Sequence, residues 1–184
     1  PPQDLDIQVE REWHPEGFRI QYISYQVEED ERARAYLAVP DVEPPVGGFP
    51  GVVCLQGTTD WGAMRTLGLR PAPTDVQGER PIAGLTDARN LVRRGYVTLS
   101  PEHFCQASRR PAEGSADTTR FYRKHADWSA AGKATYENSI AVSILSGRAE
   151  VNADRIGVTG HSLGGHGSIW LAAYDDRVRC AVPS

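Results

Sequence analysis

The sequence holds no Lys/Arg block longer than a pair, and its formal net charge is −4. That makes nucleic acid a poor partner. No apolar run approaches the ~20 residues of a membrane-spanning helix, and no charged-then-apolar signal segment opens the chain. The three cysteines, Cys54, Cys105 and Cys180, are scattered and form no C-x-x-C, which argues against a disulfide framework. Cys54 and Cys180 sit in apolar strand-like runs, where Cys behaves as a small hydrophobe. Scattered thiols in a soluble chain lean towards the cytoplasm. The chain starts at Pro1 without a Met, however, and a lost targeting segment would leave the compartment open. No His/Cys/Asp/Glu cluster has metal-ligand spacing, and no Gly-rich phosphate loop follows the first strand. Neither a metal nor a cofactor is therefore expected. There is no internal repeat and no low-complexity segment.

What remains is an ordinary globular composition: 184 residues, 40% hydrophobic and 24% charged, enough for one domain with a core. Its most informative stretch is late. Gly160-His161-Ser162-Leu163-Gly164 reads G-x-S-x-G. A short β-type run, Ile156 to Thr159, precedes it, entered by a polar turn at Asn152-Ala153-Asp154-Arg155. Leu163 to Tyr174, rich in Gly, Ala, Leu and Ile, follows as a buried helix. Strand, sharp turn and helix make a nucleophile elbow. The serine takes a strained backbone position, glycines on either side let strand and helix approach, and the first helical N–H groups face a developing oxyanion.

Residues 1–17 are polar and Pro-bearing and read as a loose lead-in. Phe18 to Tyr25 alternates apolar and polar residues as a half-buried strand does. After an acidic turn at Glu28 to Glu31, Arg34 to Val39 completes an antiparallel hairpin. Gly51 to Leu55 is continuously apolar, the mark of a strand buried on both faces. Residues 63–81 read as irregular. Thr86 or Asp87 starts a helix running to about Arg94, with basic residues at its negative end; Gly95 stops it, and Tyr96 to Ser100 is another buried strand. Residues 101–133 are too long for an ordinary connection. Ala134 to Ala149 has helical apolar spacing, and Val178 to Val182 is a last strand. Strands alternating with helices imply βαβ units and a mostly parallel sheet.

On three stretches the sequence resembles the α/β-hydrolase superfamily, in its dienelactone-hydrolase-like and acetyl-xylan-esterase-like branch. They are Leu55-Gln56-Gly57-Thr58-Thr59, Arg94-Gly95-Tyr96-Val97-Thr98-Leu99-Ser100-Pro101-Glu102, and Asp154 through Gly165. Asp127 to Lys133 looks like a further shared feature. The resemblance covers about residues 18–184 and implies an α/β-hydrolase fold, a mostly parallel sheet opened by an antiparallel hairpin. It implies Ser162 as nucleophile, with the backbone N–H groups of Leu163 and Thr58 as oxyanion donors. Gln56 stands where the family usually has His. The family order places an Asp or Glu, then a His, on loops after later strands. His166, Asp175 and Asp176 come too early for those loops. The expectation is therefore an N-terminal portion of a longer hydrolase, 18–184 being an incomplete domain.

Other candidates divide by position. His166, four residues past Ser162, falls one helical turn deeper and reads as structural. His161, beside the serine, and His103, after a strand end on the ligand side of the sheet, are candidate pocket residues. His103 reads equally as a loop histidine bonded to backbone. Trp61, Phe121, Tyr122 and Trp128 offer a pocket wall or packing for the 101–133 section. His125, His14, Arg109-Arg110, Arg123-Lys124 and the Asp175-Asp176-Arg177 turn read as solvated surface.

The expectation is a serine hydrolase of small carboxylic esters working through an acyl-enzyme, with no cofactor and with oligomeric state open. The same elbow also serves peptidases and thioesterases. A non-catalytic binding domain of this fold is the reading from another class, and the strained serine argues against it.

Overall fold

The computed structural model describes residues 4–69 and 85–184. β2 (Phe18–Glu28) and β3 (Glu31–Pro40) form the expected hairpin, in register from Phe18↔Pro40 to Gln26↔Arg32 and shifted by a bulge before Glu28↔Glu31. Part of the lead-in differs from expectation: Gln8–Trp13 is a strand, β1, antiparallel to β2. Its polar residues lie exposed on both faces, so no alternation marks it. An edge strand of this kind is protected from mispairing by its charges.

β4 (Phe49–Leu55), β5 (Val97–Pro101), β6 (Val151–Gly160) and β7 (Val178–Pro183) are parallel, and the sheet order is β1-β2-β3-β5-β4-β6-β7. The continuously apolar β4 is thus flanked by strands on both sides and covered on both faces. One face carries Ile23, Leu37, Val53, Leu99 and Val158 against α3 (Ala130–Ser146) and α4 (Leu163–Tyr174). The other carries Phe18, Ile20, Tyr36 and Val52 against α1 (Asp87–Val92) and a 3₁₀ turn, Gly62–Leu67. The rest of the irregular stretch expected at 63–81, from residue 70, lies outside the described residues. The polar turn expected at 152–155 is a bulge inside β6: pairing jumps from Pro50↔Asn152 to Gly51↔Ile156. Thr86 occupies the N-cap of α1 without capping it; its Oγ1 instead accepts from Asn90 Nδ2 at 3.3 Å.

The 101–133 section holds a 3₁₀ turn, Ala107–Arg109, and α2 (Thr119–Lys124). Of the basic pairs expected to be solvated, Arg110, Arg123 and Lys124 are exposed and Arg109 is not. The Arg109 side chain is buried and bridges Glu137, at 2.5 and 2.8 Å, and Glu31. Lys133, only 1% exposed along its side chain, meets Glu28, Glu31 at 2.9 Å and Glu137 at 3.0 Å. Lys124 reaches Glu28 at 2.9 Å, and His125 Nε2 lies 3.0 Å from the same carboxylate. The tip of the β2–β3 hairpin and the start of α3 therefore hold this section through ion pairs. Ser129 caps α3, accepting from Gly132 N–H at 2.9 Å. Phe121, Tyr122, His125 and Trp128 form a chain of ring contacts, so these rings pack the section itself.

Three further expectations change at the C-terminal end. α4 is buried on one face only; Ile169, Trp170 and Tyr174 are exposed on the other. Cys180 is exposed on β7. Asp175 is buried, accepting from Ser139 Oγ and from the Arg177 guanidinium. That pairing holds its carboxyl below the usual range and ties α3 to the α4–β7 turn.

Candidate active site

Ser162 lies between the end of β6 and the first residue of α4, with φ 55° and ψ −115°, a backbone region that costs a non-glycine residue on the order of 1–3 kcal/mol. Its surroundings hold it there. Ser162 N–H donates to Ser184 O at 2.7 Å, Ser184 N–H to Gly160 O at 2.9 Å, and Gly164 N–H to His161 O at 2.9 Å. A Cβ on Gly160 would lie closer than 3.0 Å to Gly164 backbone, and one on Gly164 equally close to the Leu55 and Gln56 carbonyls. Only side-chain-free positions let the N-terminus of α4 reach the end of β4. That approach brings Leu163 beside the Gln56-Gly57-Thr58 turn. As the first residue of α4, Leu163 has an N–H among those without an intrahelical acceptor.

Two recesses meet along Leu55, Gln56 and Thr58. The smaller, about 150 Å³, is lined by Ser162, His161, Arg65 and Asp87. The larger, about 300 Å³, is lined by Leu163, His103, Phe104, Asn138, His166 and Trp170 among others. Thr58 stands on the ridge between them. Of the expected pocket residues, the structure brings together Ser162 and His161 on one side and Leu163 and His103 on the other. Trp61 lines neither recess.

The histidines have defined environments. His103 stacks on Phe104, with centroids 4.8 Å apart, and Nδ1 lies 2.6 Å from Phe104 O. Burial pushes its pKa below the ordinary value, so the ring is neutral near pH 7. His161 Nδ1 lies 3.3 Å from Ser184 Oγ. His166 is exposed at the rim of the larger recess, because the face of α4 that carries it is uncovered. Among the described residues no imidazole hydrogen-bonds Ser162 Oγ.

Sequence reasoning missed Gln106. It is 1% exposed, and its Oε1 accepts from Gln56 Nε2 at 2.9 Å and from Thr59 N–H at 3.4 Å. One side chain thus fastens both ends of the turn that carries Thr58. Gln56, in place of the family's usual His, was the available hint that a partner lay elsewhere. Gln106→Met should leave those donors unsatisfied and destabilise by about 1–3 kcal/mol. Amide exchange across residues 56–59 should accelerate, measured by mass spectrometry. Gln106→Glu, which keeps the acceptor, should protect the turn; equal exchange in both variants would refute this role.

The sequence model of the dienelactone hydrolase family matches residues 75–184. The chain is 32% identical over 93 residues to YtaP of Bacillus subtilis (strain 168), a protein described as a hydrolase, in a match spanning 50% of this chain and 30% of that protein. A Bacteroides fragilis protein described as an acetyl xylan esterase superposes with a TM-score of 0.80 at 21% identity, over 97% of this chain and 47% of its own. Acetyl xylan esterase 1 of Thermoanaerobacterium sp. gives 0.69 at 19% identity, over 98% and 52%. The chain thus spans about half the length of these solved structures. At such identities the likeness speaks for the fold, which is the α/β-hydrolase fold. With the matched region covering more than half of the chain, the protein belongs to the dienelactone hydrolase family.

Proposed function

We propose that the protein is a serine hydrolase of carboxylic esters. The observation that carries this reading is the backbone of Ser162, held at φ 55° at the N-terminus of α4 beside the Thr58 turn. A binding module has no use for that strain, whereas a nucleophile lifted clear of the sheet does. In this reading Ser162 Oγ attacks the acyl carbon. The backbone N–H groups of Leu163 and Thr58 hold the oxyanion of the tetrahedral intermediate. The alcohol leaves with a proton, and water hydrolyses the acyl-enzyme, returning Ser162. The proton from Oγ goes to a His, oriented by an Asp or Glu, both assigned to chain beyond residue 184. The reading needs no cofactor.

A fluorophosphonate probe should label Ser162 in the protein carrying this chain. Ser162→Ala should abolish both the label and hydrolysis of short para-nitrophenyl esters while the circular dichroism spectrum stays the same. Labelling or turnover that survives the substitution refutes the assignment.

A further inference from the structure

Asn138 lies on α3 where the sequence suggests nothing but a core-facing helix. It is 8% exposed, and its side-chain amide makes no hydrogen bond among the described residues. It lines the larger recess. An amide offers two N–H donors and a carbonyl acceptor, and those of Asn138 keep some solvent access through the recess, where an entering group would meet and bury them. The space beside it is kept open. A Cβ on Gly167 would come within 3.3 Å of Asn138 Nδ2 and 3.0 Å of Leu55 Cδ1.

The rest of the recess defines the kind of group that would meet this amide. Among the described residues no Asp, Glu, Lys or Arg lines it; His103 is buried, which disfavours its charged form, and His166 stands only at the exposed rim. Phe104 and Trp170 supply flat apolar walls. A dry cavity of about 150 Å³ already takes a benzene ring, so about 300 Å³ accommodates a substituted one. The recess around Ser162 is smaller and carries both Arg65 and Asp87, so charge on a substrate belongs there. The two recesses meet at Thr58, beside the position proposed for the ester carbonyl.

We propose that the larger recess binds one arm of the ester, an uncharged group about the size of one aromatic ring bearing a hydroxyl, and that Asn138 reads that hydroxyl. This rests on the reading of Ser162 as nucleophile. A hydroxyl can donate to Asn138 Oδ1 and accept from Nδ2. A methyl group of nearly the same size can do neither and would leave the amide buried and unpaired, which is the condition for strong discrimination.

The test compares kcat/KM for two matched pairs. Para-hydroxyphenyl acetate against para-tolyl acetate places the ring on the alcohol arm; methyl para-hydroxybenzoate against methyl para-toluate places it on the acyl arm. In one pair the hydroxyl compound should be favoured by about tenfold or more. Asn138→Leu should erase that preference, and Gly167→Ala, which crowds Nδ2, should weaken it. Binding of phenol and of toluene to the Ser162→Ala protein, followed by isothermal titration, gives a readout independent of turnover. Phenol should bind more tightly, and Asn138→Leu should remove the difference. Equal rates within both pairs, or a preference that persists in Asn138→Leu, overturns the proposal. Hydrolysis that survives Ser162→Ala while phenol binding still depends on Asn138 sinks the nucleophile and supports the recess assignment.

Discussion

Gly164→Val should give a chain that does not reach its folded state: low soluble yield, no cooperative thermal transition and no labelling of Ser162. The argument is purely steric. A Cβ at Gly164 would lie closer than 3.0 Å to three backbone atoms, Leu55 O, Leu55 C and Gln56 O. Backbone at the end of a central strand cannot rotate aside as a side chain can. Relief would require α4 to move off β4, and Leu171, fully buried in the core between α3 and the sheet, would move with it. Valine adds two methyl groups to that Cβ. Single substitutions costing more than about 4–5 kcal/mol are exceptional, and this one combines backbone overlap with loss of core packing. It removes much of the ~5–15 kcal/mol that separates a folded domain from its unfolded chain. Gly95→Ala is the control. Its φ is +85° but a Cβ there meets nothing within 4 Å, so only the conformational cost of a left-handed backbone, about 1–2 kcal/mol, remains. If Gly164→Val melts like the parent, the close approach of α4 to β4 is wrong.

The contrast between these glycines also explains what the sequence could reveal. Gly160 abuts Gly164 within the motif itself, and although Gly164 abuts the distant end of β4, the G-x-S-x-G letters and their strand and helix flanks are enough to announce the elbow. The buried strands were legible locally as well: Gly51 to Leu55 announces itself by apolar continuity, and Tyr96 to Ser100 by β-type residues directly after the Gly95 stop. β1 was not, because an edge strand with polar residues on both faces shows no period. Nor was the role of Gln106, fifty residues from Gln56 in the chain, since only the sheet order brings β4 and β5 side by side. Arg109 and Lys133 read as ordinary charged positions until the hairpin tip supplies Glu28 and Glu31 beside Glu137 of α3. Asn138 sits inside a helical pattern whose apolar members were visible and whose polar member gave no sign of facing a recess.

The ion cluster gives the other large effect. Lys133→Met should destabilise the protein by about 3–5 kcal/mol, the usual consequence of removing one partner from a buried charge cluster. Lys133 is 1% exposed along its side chain and meets Glu28, Glu31 and Glu137. Without it, three carboxylates converge on Arg109 and the partly exposed Lys124. Burial works to raise the Glu28 pKa, but its bonds to Lys133 and Lys124 outweigh that and bring it down to about 2; Glu31 is lowered as well, with Arg109 and Lys133 overcoming its burial. Burial likewise opposes the charge of Lys133, yet the surrounding carboxylates carry its pKa above the ordinary lysine value. Carboxylates whose folded pKa is depressed contribute stability above their unfolded value, about 4.3, and lose it as pH falls further. A lysine whose folded pKa is raised contributes fully below about 10.4 and loses that contribution as pH rises through the folded value. The difference in unfolding free energy between parent and Lys133→Met, from urea titration, should therefore be large near pH 7. It should narrow as pH drops below about 4, where protonation weakens the parent's pairs and relieves the variant's repulsion. Adding Glu137→Met to Lys133→Met should recover part of the loss, because it removes one of three carboxylates that then face only Arg109 and the partly exposed Lys124. A gap that is small near neutrality, or that does not change with acid, would mean that the pairs do not hold the 101–133 section in place.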